Sequence, residues 1–126
     1  MTGSEVLLDS SVWLDYFLNA SEGSKAYINS AAFVLYSSVI SLYEVKKKLL
    51  KDKYEGEKIE KALGFMKKRA VMVDASGAIC ESGASDALKF KLAIADSIIY
   101  RTAIESNAQL VTMDSDFKGL DGVVMI

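Results

Sequence analysis

The sequence predicts an α/β fold in which helices cover both faces of a central parallel sheet. Short apolar segments alternate with helical segments along the 126 residues. The short segments show little alternation of apolar and polar residues, which is typical of strands buried on both faces of a parallel sheet. The chain is 51% hydrophobic and long enough to bury a substantial core. We therefore expect a single domain over residues 1–126.

The first half of the chain predicts two strands and four helices. Residues 5–9 and 33–36 are apolar runs that favour strands. Ser10 or Ser11 is expected to cap the helix after the first strand, because serine side chains accept hydrogen bonds from free backbone N–H groups. The helices are expected at residues 12–18, 21–32, 39–51 and 55–69.

The second half predicts three more strands, at residues 71–73, 109–112 and 123–126. Ser76 is expected to cap a helix that reaches about residue 90, and another helix is expected at residues 93–107. The candidate core positions of the helix at 39–51 are Ile40, Tyr43, Leu49 and Leu50, and Cys80 is expected to be buried as well. Apolar residues also support the helices at 55–69 and 93–107. They are Ile59, Ala62, Leu63, Met66, Ile94, Ile98, Ile99 and Ile104.

Composition excludes several classes of catalyst. The chain has no histidine, which removes Ser–His–Asp and Cys–His catalysis and the usual zinc sites. Its single cysteine excludes an internal disulfide framework. Neither of the glycine-rich phosphate-binding motifs, GxxxxGK[ST] or GxGxxG, occurs. The chain has no long apolar run, so we expect no membrane span. Its N-terminus has no basic segment followed by an apolar one, so we expect no secretory signal and a cytoplasmic location.

Residues 46–69 form a basic arm in an otherwise acidic chain. The arm has ten basic and four acidic residues, whereas the whole chain has a formal net charge of −2. It begins with Lys46, Lys47 and Lys48. A basic helical arm is compatible with a phosphate-bearing partner. A solvated helical hairpin with pairs such as Glu57–Lys61 would explain the same charges.

Four acids are placed to meet at one edge of the predicted sheet. Asp9 ends the first strand, and Asp114 follows the fourth. Glu44 and Asp96 lie near the starts of two helices. In parallel sheets the functional crevice lies beyond the carboxyl ends of the strands. Clustered carboxylates repel one another unless cations compensate, and oxygen-only ligands select hard ions such as Mg²⁺ or Mn²⁺. Such ions can activate water and support phosphoryl displacement.

Each acid also has a purely structural interpretation. Ser41-Leu-Tyr-Glu44 matches the S-x-x-E capping box, in which Glu44 would only hold a backbone N–H group. An acid in a first helical turn, such as Asp96, complements the helix dipole. Turn or cap positions suit the remaining acids, Asp9, Asp114 and Asp116.

Four segments contain these acids, and a fifth segment lies at the end of the chain. They are residues 7–13 (LLDSSVW), 38–44 (SVISLYE), 92–103 (LAIADSIIYRTA), 108–117 (AQLVTMDSDF) and 120–126 (LDGVVMI). Their order and spacing are specific. In this arrangement the chain resembles PIN-domain ribonucleases of the VapC toxin type. The resemblance covers nearly the whole sequence.

The resemblance implies a carboxylate-bound Mg²⁺ or Mn²⁺ and hydrolysis of RNA. The catalytic and metal-site acids that it implies are Asp9, Glu44, Asp96 and Asp114, with Asp116 as a second acid of the last motif. Ser10 and Thr112 match hydroxyl residues beside these acids, and we expect them to support the site. The lysines at the start of the basic arm, Lys46, Lys47 and Lys48, are expected to bind RNA. Toxins of this type commonly form homodimers and are inhibited by an antitoxin protein, so both partners are expected.

Two other functions are compatible with parts of the pattern. A phospho-acceptor receiver domain has similar length and alternation, and Asp74 would be its acceptor after the third strand. Receivers need an acidic pair after strand one, however, and Asp9 is followed by serines. A PIN-like scaffold that binds RNA or protein without cleavage is the other alternative, and the presence of all four acids disfavours it.

Overall fold

Five parallel strands form the centre of the protein. In the computed structural model, which describes residues 3–126, they are β1 (Glu5–Leu8), β2 (Val34–Ser38), β3 (Val71–Val73), β4 (Gln109–Thr112) and β5 (Val123–Met125). They form one sheet in the order β3-β2-β1-β4-β5, and every neighbouring pair is parallel. Each strand lies within two residues of its predicted bounds. The predicted parallel α/β fold is confirmed.

Helices occupy most of the connections between the strands. They are α1 (Ser10–Leu18), α2 (Glu22–Ile28), α3 (Val39–Lys51), α4 (Gly56–Arg69), α5 (Gly77–Phe90) and α6 (Ile94–Glu105), with a short 3-10 turn at Ser115–Phe117. The predicted cap of α5 is confirmed, because the Ser76 side chain accepts a hydrogen bond from the Ile79 N–H at 3.2 Å. Within residues 3–126 no helix combines the length and the apolarity needed to cross a bilayer.

The core lies on both faces of the sheet. From β1, Val6 and Leu8 pack into a cluster with Trp13 of α1, while Leu7 packs into a second cluster with Ile99 of α6. All five side chains are at most 1% exposed. Burying a large aliphatic side chain contributes about 1.5–3 kcal/mol. Two-sided burial therefore explains why β1 is apolar along its whole length.

Two predictions about helix ends are wrong. Helix α2 ends at Ile28 instead of residue 32, because the Arg69 guanidinium binds the carbonyl groups at this end, at 2.7 Å from Ile28 O and 2.8 Å from Ser30 O. Ser10 and Ser11 do not cap α1. Asp9 occupies the cap position, and the serines lie inside the helix with their hydroxyls directed to other side chains.

Several predicted core residues lie on the surface. Helix α3 buries Ser41, Val45 and Leu49, which share one face, so Tyr43 and Leu50 on the other side are 64% and 56% exposed. Cys80 of α5 was also predicted to be buried and is exposed. Two isoleucines of α6, Ile94 and Ile104, are exposed as well. Helical periodicity locates an apolar stripe, and tertiary packing decides which part of the stripe is covered.

The carboxyl ends of the strands meet at one edge of the sheet. Strand β1 lies between β2 and β4, with Leu7 opposite Tyr36 and Leu8 opposite Val111. The Asp9 N–H extends this pairing by donating to Val111 O at 3.0 Å. Helix α3 begins directly after β2, and the segment 113–116 follows β4. This edge therefore gathers the residues that follow the three central strands.

Candidate metal centre

Asp9 is fixed by two hydroxyl groups rather than by backbone N–H groups. Its side chain makes no capping hydrogen bond, although it stands at the start of α1. Instead, Ser11 Oγ and Thr112 Oγ1 both donate to Asp9 Oδ2 at 2.8 Å. Since both of these bonds end on Oδ2, Oδ1 of this 3% exposed residue remains for a ligand at the sheet edge. The interpretation of Asp9 as a simple cap is wrong.

Glu44 reaches across to the first helix. Ser10 Oγ donates to Glu44 Oε1 at 2.6 Å and lies 3.1 Å from the Ser41 hydroxyl. The capping-box interpretation is wrong, because α3 is capped by Ser38, whose side chain accepts from Ile40 N–H at 3.1 Å. Burial raises the pKa of the half-buried Glu44 carboxyl. The Ser10 hydrogen bond opposes this shift, and the charges of the neighbouring acids add to it.

Asp96 lies in the first turn of α6 and carries the largest pKa shift resolved at the site. Burial is the main cause, followed by the charges of Asp9, Asp114, Glu44 and Asp116, and together they raise the pKa of Asp96 to about 7. Asp9 and Glu44 are thus near enough for their charges to act on Asp96, whereas Asp114 and Asp116 form a closer group with it.

The segment after β4 supplies two more carboxylates. Carboxylate oxygens of Asp96, Asp114 and Asp116 lie within 4.8 Å of one another. Asp114 Oδ1 accepts a hydrogen bond from Asp116 N–H at 2.9 Å, which confirms the predicted cap of the short turn and leaves Oδ2 available. Thr112 Oγ1 accepts from Asp114 N–H at 2.9 Å while it donates to Asp9, so one hydroxyl links the two acids.

Ser11 belongs to this network, and sequence reasoning considered it only as a helix cap. Its hydroxyl donates to Asp9 and accepts from Met113 N–H at 3.0 Å, which ties the start of α1 to the end of β4. The available signal was its position two residues after Asp9, in the first turn of a helix that starts at the sheet edge. That position aims the side chain of Ser11 toward the neighbouring strand.

The charge of the cluster is not balanced by ion pairs. None of the salt bridges formed within residues 3–126 involves Asp9, Glu44, Asp96, Asp114 or Asp116. Close carboxylates without a cationic partner destabilise one another. Their donor atoms are all oxygens, the ligand type that Mg²⁺ and Mn²⁺ prefer over zinc. The residues present therefore fit a hard divalent cation.

The three lysines at the start of the basic arm differ in their surroundings. Lys46 pairs with Glu60 at 4.0 Å and Lys48 with Asp52 at 3.2 Å, both near the surface. Lys47 has no acidic ion-pair partner among the described residues. Its Nζ lies 5.8 Å from the centre of the Tyr43 ring, and its charge lowers the pKa of Glu44. Lys47 is thus the lysine that acts on the carboxylate cluster.

The sheet order contradicts the receiver alternative. Asp74 follows β3, an edge strand that β2 separates from β1. Two strand spacings amount to about 9–10 Å, so Asp74 stands apart from Asp9. A phospho-acceptor in that class must lie beside the acids of the first strand.

Comparison with known proteins identifies the family. The PIN domain family model matches residues 6–123, so the chain belongs to the PIN domain family. The fold is similar to a toxin–antitoxin complex from Klebsiella pneumoniae, with 25% identity, a TM-score of 0.78 and coverage of 95% of this chain and 96% of that chain. VapC20 of Mycobacterium tuberculosis, a sarcin–ricin-loop-cleaving toxin, is 14% identical with a TM-score of 0.76, covering 92% and 95%.

A third similar structure is VapBC2 of Rickettsia felis bound to promoter DNA, with 19% identity, a TM-score of 0.75 and 97% coverage of each chain. Among curated proteins none matches this sequence. The resemblance to PIN domains found in the sequence is confirmed as the family, and the VapC structures share the fold.

Proposed function

We propose that this PIN-domain protein is a metal-dependent endoribonuclease that hydrolyses RNA phosphodiester bonds and acts as the toxin of a toxin–antitoxin pair. The observation that carries the proposal is a group of three carboxylates, Asp96, Asp114 and Asp116, within 4.8 Å of one another at the carboxyl edge of a PIN-domain sheet. The charges of Asp9 and Glu44 act on this group, and none of the five acids forms an ion pair among the described residues. Such a cluster is costly unless it binds cations, and hard divalent cations are suited to phosphoryl chemistry. Similar solved structures include a toxin that cleaves the sarcin–ricin loop, which supports RNA as the substrate.

In this proposal the acids hold Mg²⁺ or Mn²⁺, which supplies an activated water and offsets charge at the phosphate. Asp9, Glu44, Asp96 and Asp114 are the ligands that we propose, with Asp116 beside them. The other residues orient these ligands. Ser11 and Thr112 donate hydrogen bonds to one carboxylate oxygen of Asp9, and Ser10 donates to one oxygen of Glu44. These bonds fix the orientation of each carboxylate, so its other oxygen can bind the metal.

The partners follow from the same proposal. The Klebsiella and Rickettsia structures are complexes of toxin and antitoxin, which supports an antitoxin partner that this protein would meet in the cytoplasm, together with RNA. We also propose a homodimer, whose interface would cover two exposed aliphatic side chains, Leu88 of α5 and Ile94 of α6, which are 87% and 81% exposed. Lys46, Lys47 and Lys48 would contact the RNA backbone.

The test is cleavage of labelled RNA with Mg²⁺, with Mn²⁺ and with EDTA. Asp9→Asn and Asp96→Asn keep the side-chain shape and remove the charge, so each should reduce the rate at least about a hundredfold, which corresponds to a few kcal/mol of barrier. Asp74→Asn changes an acid outside the cluster and should cleave like wild type. Cleavage near the wild-type rate by both cluster variants would contradict the proposal. RNA binding without cleavage under either ion would favour the non-catalytic scaffold.

A further inference from the structure

We propose that Tyr43 stacks on an unpaired base of the RNA beside the phosphate that Lys47 contacts, so that the protein selects single-stranded RNA at this position. The inference rests on the proposed function and specifies the substrate of the same site. It starts from one residue that the core cannot explain. Tyr43 directly precedes Glu44 in α3, yet 64% of it is exposed.

The direction of each side chain follows from the geometry of α3. Ser41, Val45 and Leu49 are buried and define the inner face of the helix. With about 100° between successive residues, Tyr43 points away from that face and Glu44 points toward the sheet edge. Lys47 falls between them, four residues after Tyr43 and three after Glu44, so it neighbours both on the helix surface.

The contacts made by Lys47 agree with this placement. Its ammonium lies 5.8 Å from the centre of the Tyr43 ring, within range of a cation–π interaction. The same charge acts on the Glu44 carboxylate. Glu44, the Lys47 ammonium and the exposed Tyr43 ring therefore follow one another around the surface of α3.

A single nucleic-acid strand offers the complementary groups in the same order. A phosphate next to the cleaved bond would meet Lys47, and the attached base would reach the Tyr43 ring. Aromatic platforms of this kind bind bases of any sequence, because every base has a π face. In duplex RNA the bases are stacked within the helix and cannot lie on a protein ring without unpairing. Stacking on Tyr43 thus favours unpaired RNA.

The experiment measures RNA binding in EDTA, where binding does not depend on cleavage. The probes are a fluorescein-labelled oligoadenylate and the same strand annealed to oligouridylate, both followed by anisotropy. Tyr43→Ala should weaken binding of the single strand about tenfold and leave the duplex unchanged, whereas Tyr43→Phe keeps the ring and should bind like wild type. Tyr54→Ala is the matched control, since Tyr54 is 41% exposed beyond the far end of α3.

The salt dependence separates the two residues. Lys47→Gln should lower the slope of binding against salt concentration, because it removes a phosphate contact, and Tyr43→Ala should leave that slope unchanged. In cleavage with Mn²⁺, Tyr43→Ala should raise KM about tenfold at constant kcat. Size-exclusion chromatography of each variant should give the wild-type elution volume.

Three results would overturn the inference. The first is unchanged single-strand binding by Tyr43→Ala, and the second is that Tyr43→Phe or Tyr54→Ala weakens single-strand binding as much as Tyr43→Ala does. The third is a changed oligomeric state of Tyr43→Ala together with equally weakened binding of both probes. The last result would assign Tyr43 to a protein interface. Failure of the proposed ribonuclease gives a different pattern, in which the binding differences persist and no variant cleaves RNA. If wild type bound neither probe in EDTA, the inference would be contradicted, whereas cleavage of RNA with Mg²⁺ or Mn²⁺ would still support the ribonuclease.

Discussion

The Thr112 hydroxyl links two acids of the candidate centre, donating to Asp9 Oδ2 and accepting from Asp114 N–H. Thr112→Val keeps the side-chain shape and removes both bonds. Groups that orient metal ligands typically contribute 10–100-fold to affinity or activity, so we expect Mn²⁺ affinity and cleavage rate to fall by about tenfold or more. Calorimetric titration and RNA cleavage measure the two effects.

The matched control is Thr102→Val. Thr102 is equally buried, but its hydroxyl donates only to Ile98 O in its own helix. This variant should keep the wild-type Mn²⁺ affinity and cleavage rate. If the two variants behave alike, the orientation of Asp9 by Thr112 is unimportant and the loss reflects removal of a buried hydroxyl in general.

Asp96 makes the stability of the metal-free protein depend on pH. Burial and the neighbouring acids raise its pKa from 3.8 to about 7 in the folded state. The folded state therefore binds this proton more tightly than the unfolded chain does between these two values. The contribution of Asp96 to stability is highest below pH 4, falls as the pH rises toward 7, and is constant above about 7.

Thermal unfolding in EDTA at pH 5 and pH 8 tests this sign. Wild type should lose more stability over that interval than Asp96→Asn, which cannot titrate at this position. Glu44 also has a raised pKa, so it makes both proteins less stable as the pH rises. The difference in lost stability between the two proteins therefore measures the contribution of Asp96. An equal decrease in the two proteins would show that Asp96 has an ordinary pKa when folded.

Among the elements, the basic arm contains lysines that differ in their position relative to the carboxylate cluster. Lys47 follows Glu44 by about one turn of α3, and its charge acts on that carboxylate. Lys68 lies in the last turn of α4, which leads into the amino end of β3. Lys47→Gln should weaken RNA binding and lower its salt slope by about one. Lys68→Gln should change both quantities little, and neither exposed substitution should alter the thermal midpoint much.

Filter binding over a range of salt concentrations checks this prediction. Equal effects of the two substitutions would mean that the whole arm follows the RNA backbone. No effect of either would mean that the arm is a solvated hairpin, the structural interpretation of its charge. Pairs such as Lys61–Glu57, 3.6 Å apart on the helix surface, belong to that interpretation.

The sequence predicted elements better than it predicted their ends and their exposed faces. Strands β1 and β4 could be found because they are buried along most of their length, which leaves a continuous apolar run. The edge strands β3 and β5 are partly exposed, but their valine and methionine residues form short apolar runs as well. The early end of α2 could not, since it depends on Arg69, about forty residues away in sequence. The exposure of Tyr43 was missed because a ring that faces solvent and one that faces the core look alike in the apolar pattern of α3.

At the scale of the whole molecule, the parallel sheet converts separate sequence positions into one site. Asp9, Glu44, Asp96 and Asp114 were predictable because each follows a strand or starts a helix, and parallel strands place all such positions at one edge. Sequence position could not predict the hydrogen bonds that orient them. The contact of Ser11 with β4 depends on the register between neighbouring strands.

The same convergence predicts how metal and charge control the stability of the whole protein. Mutual repulsion and burial destabilise the metal-free cluster, so Asp96→Asn in EDTA at pH 8 should be at least as stable as wild type. Asp86→Asn is the control, for which we expect the opposite change, a loss of stability. Asp86 is a buried acid held by two 2.8 Å hydrogen bonds from Arg101, and its loss should cost on the order of a few kcal/mol.

Metal should reverse the order of wild type and Asp96→Asn. Mn²⁺ binds only the folded state in this scheme, and at a hundred times Kd it should stabilise wild type by about 2.7 kcal/mol. Asp86→Asn should keep that gain, because Asp86 lies outside the cluster, and Asp96→Asn should lose most of it. Thermal unfolding of the three proteins with EDTA and with excess Mn²⁺ measures the stability of each protein and its gain from metal. A destabilised Asp96→Asn in EDTA, together with no response of wild type to Mn²⁺, would mean that these acids serve the fold and hold no metal.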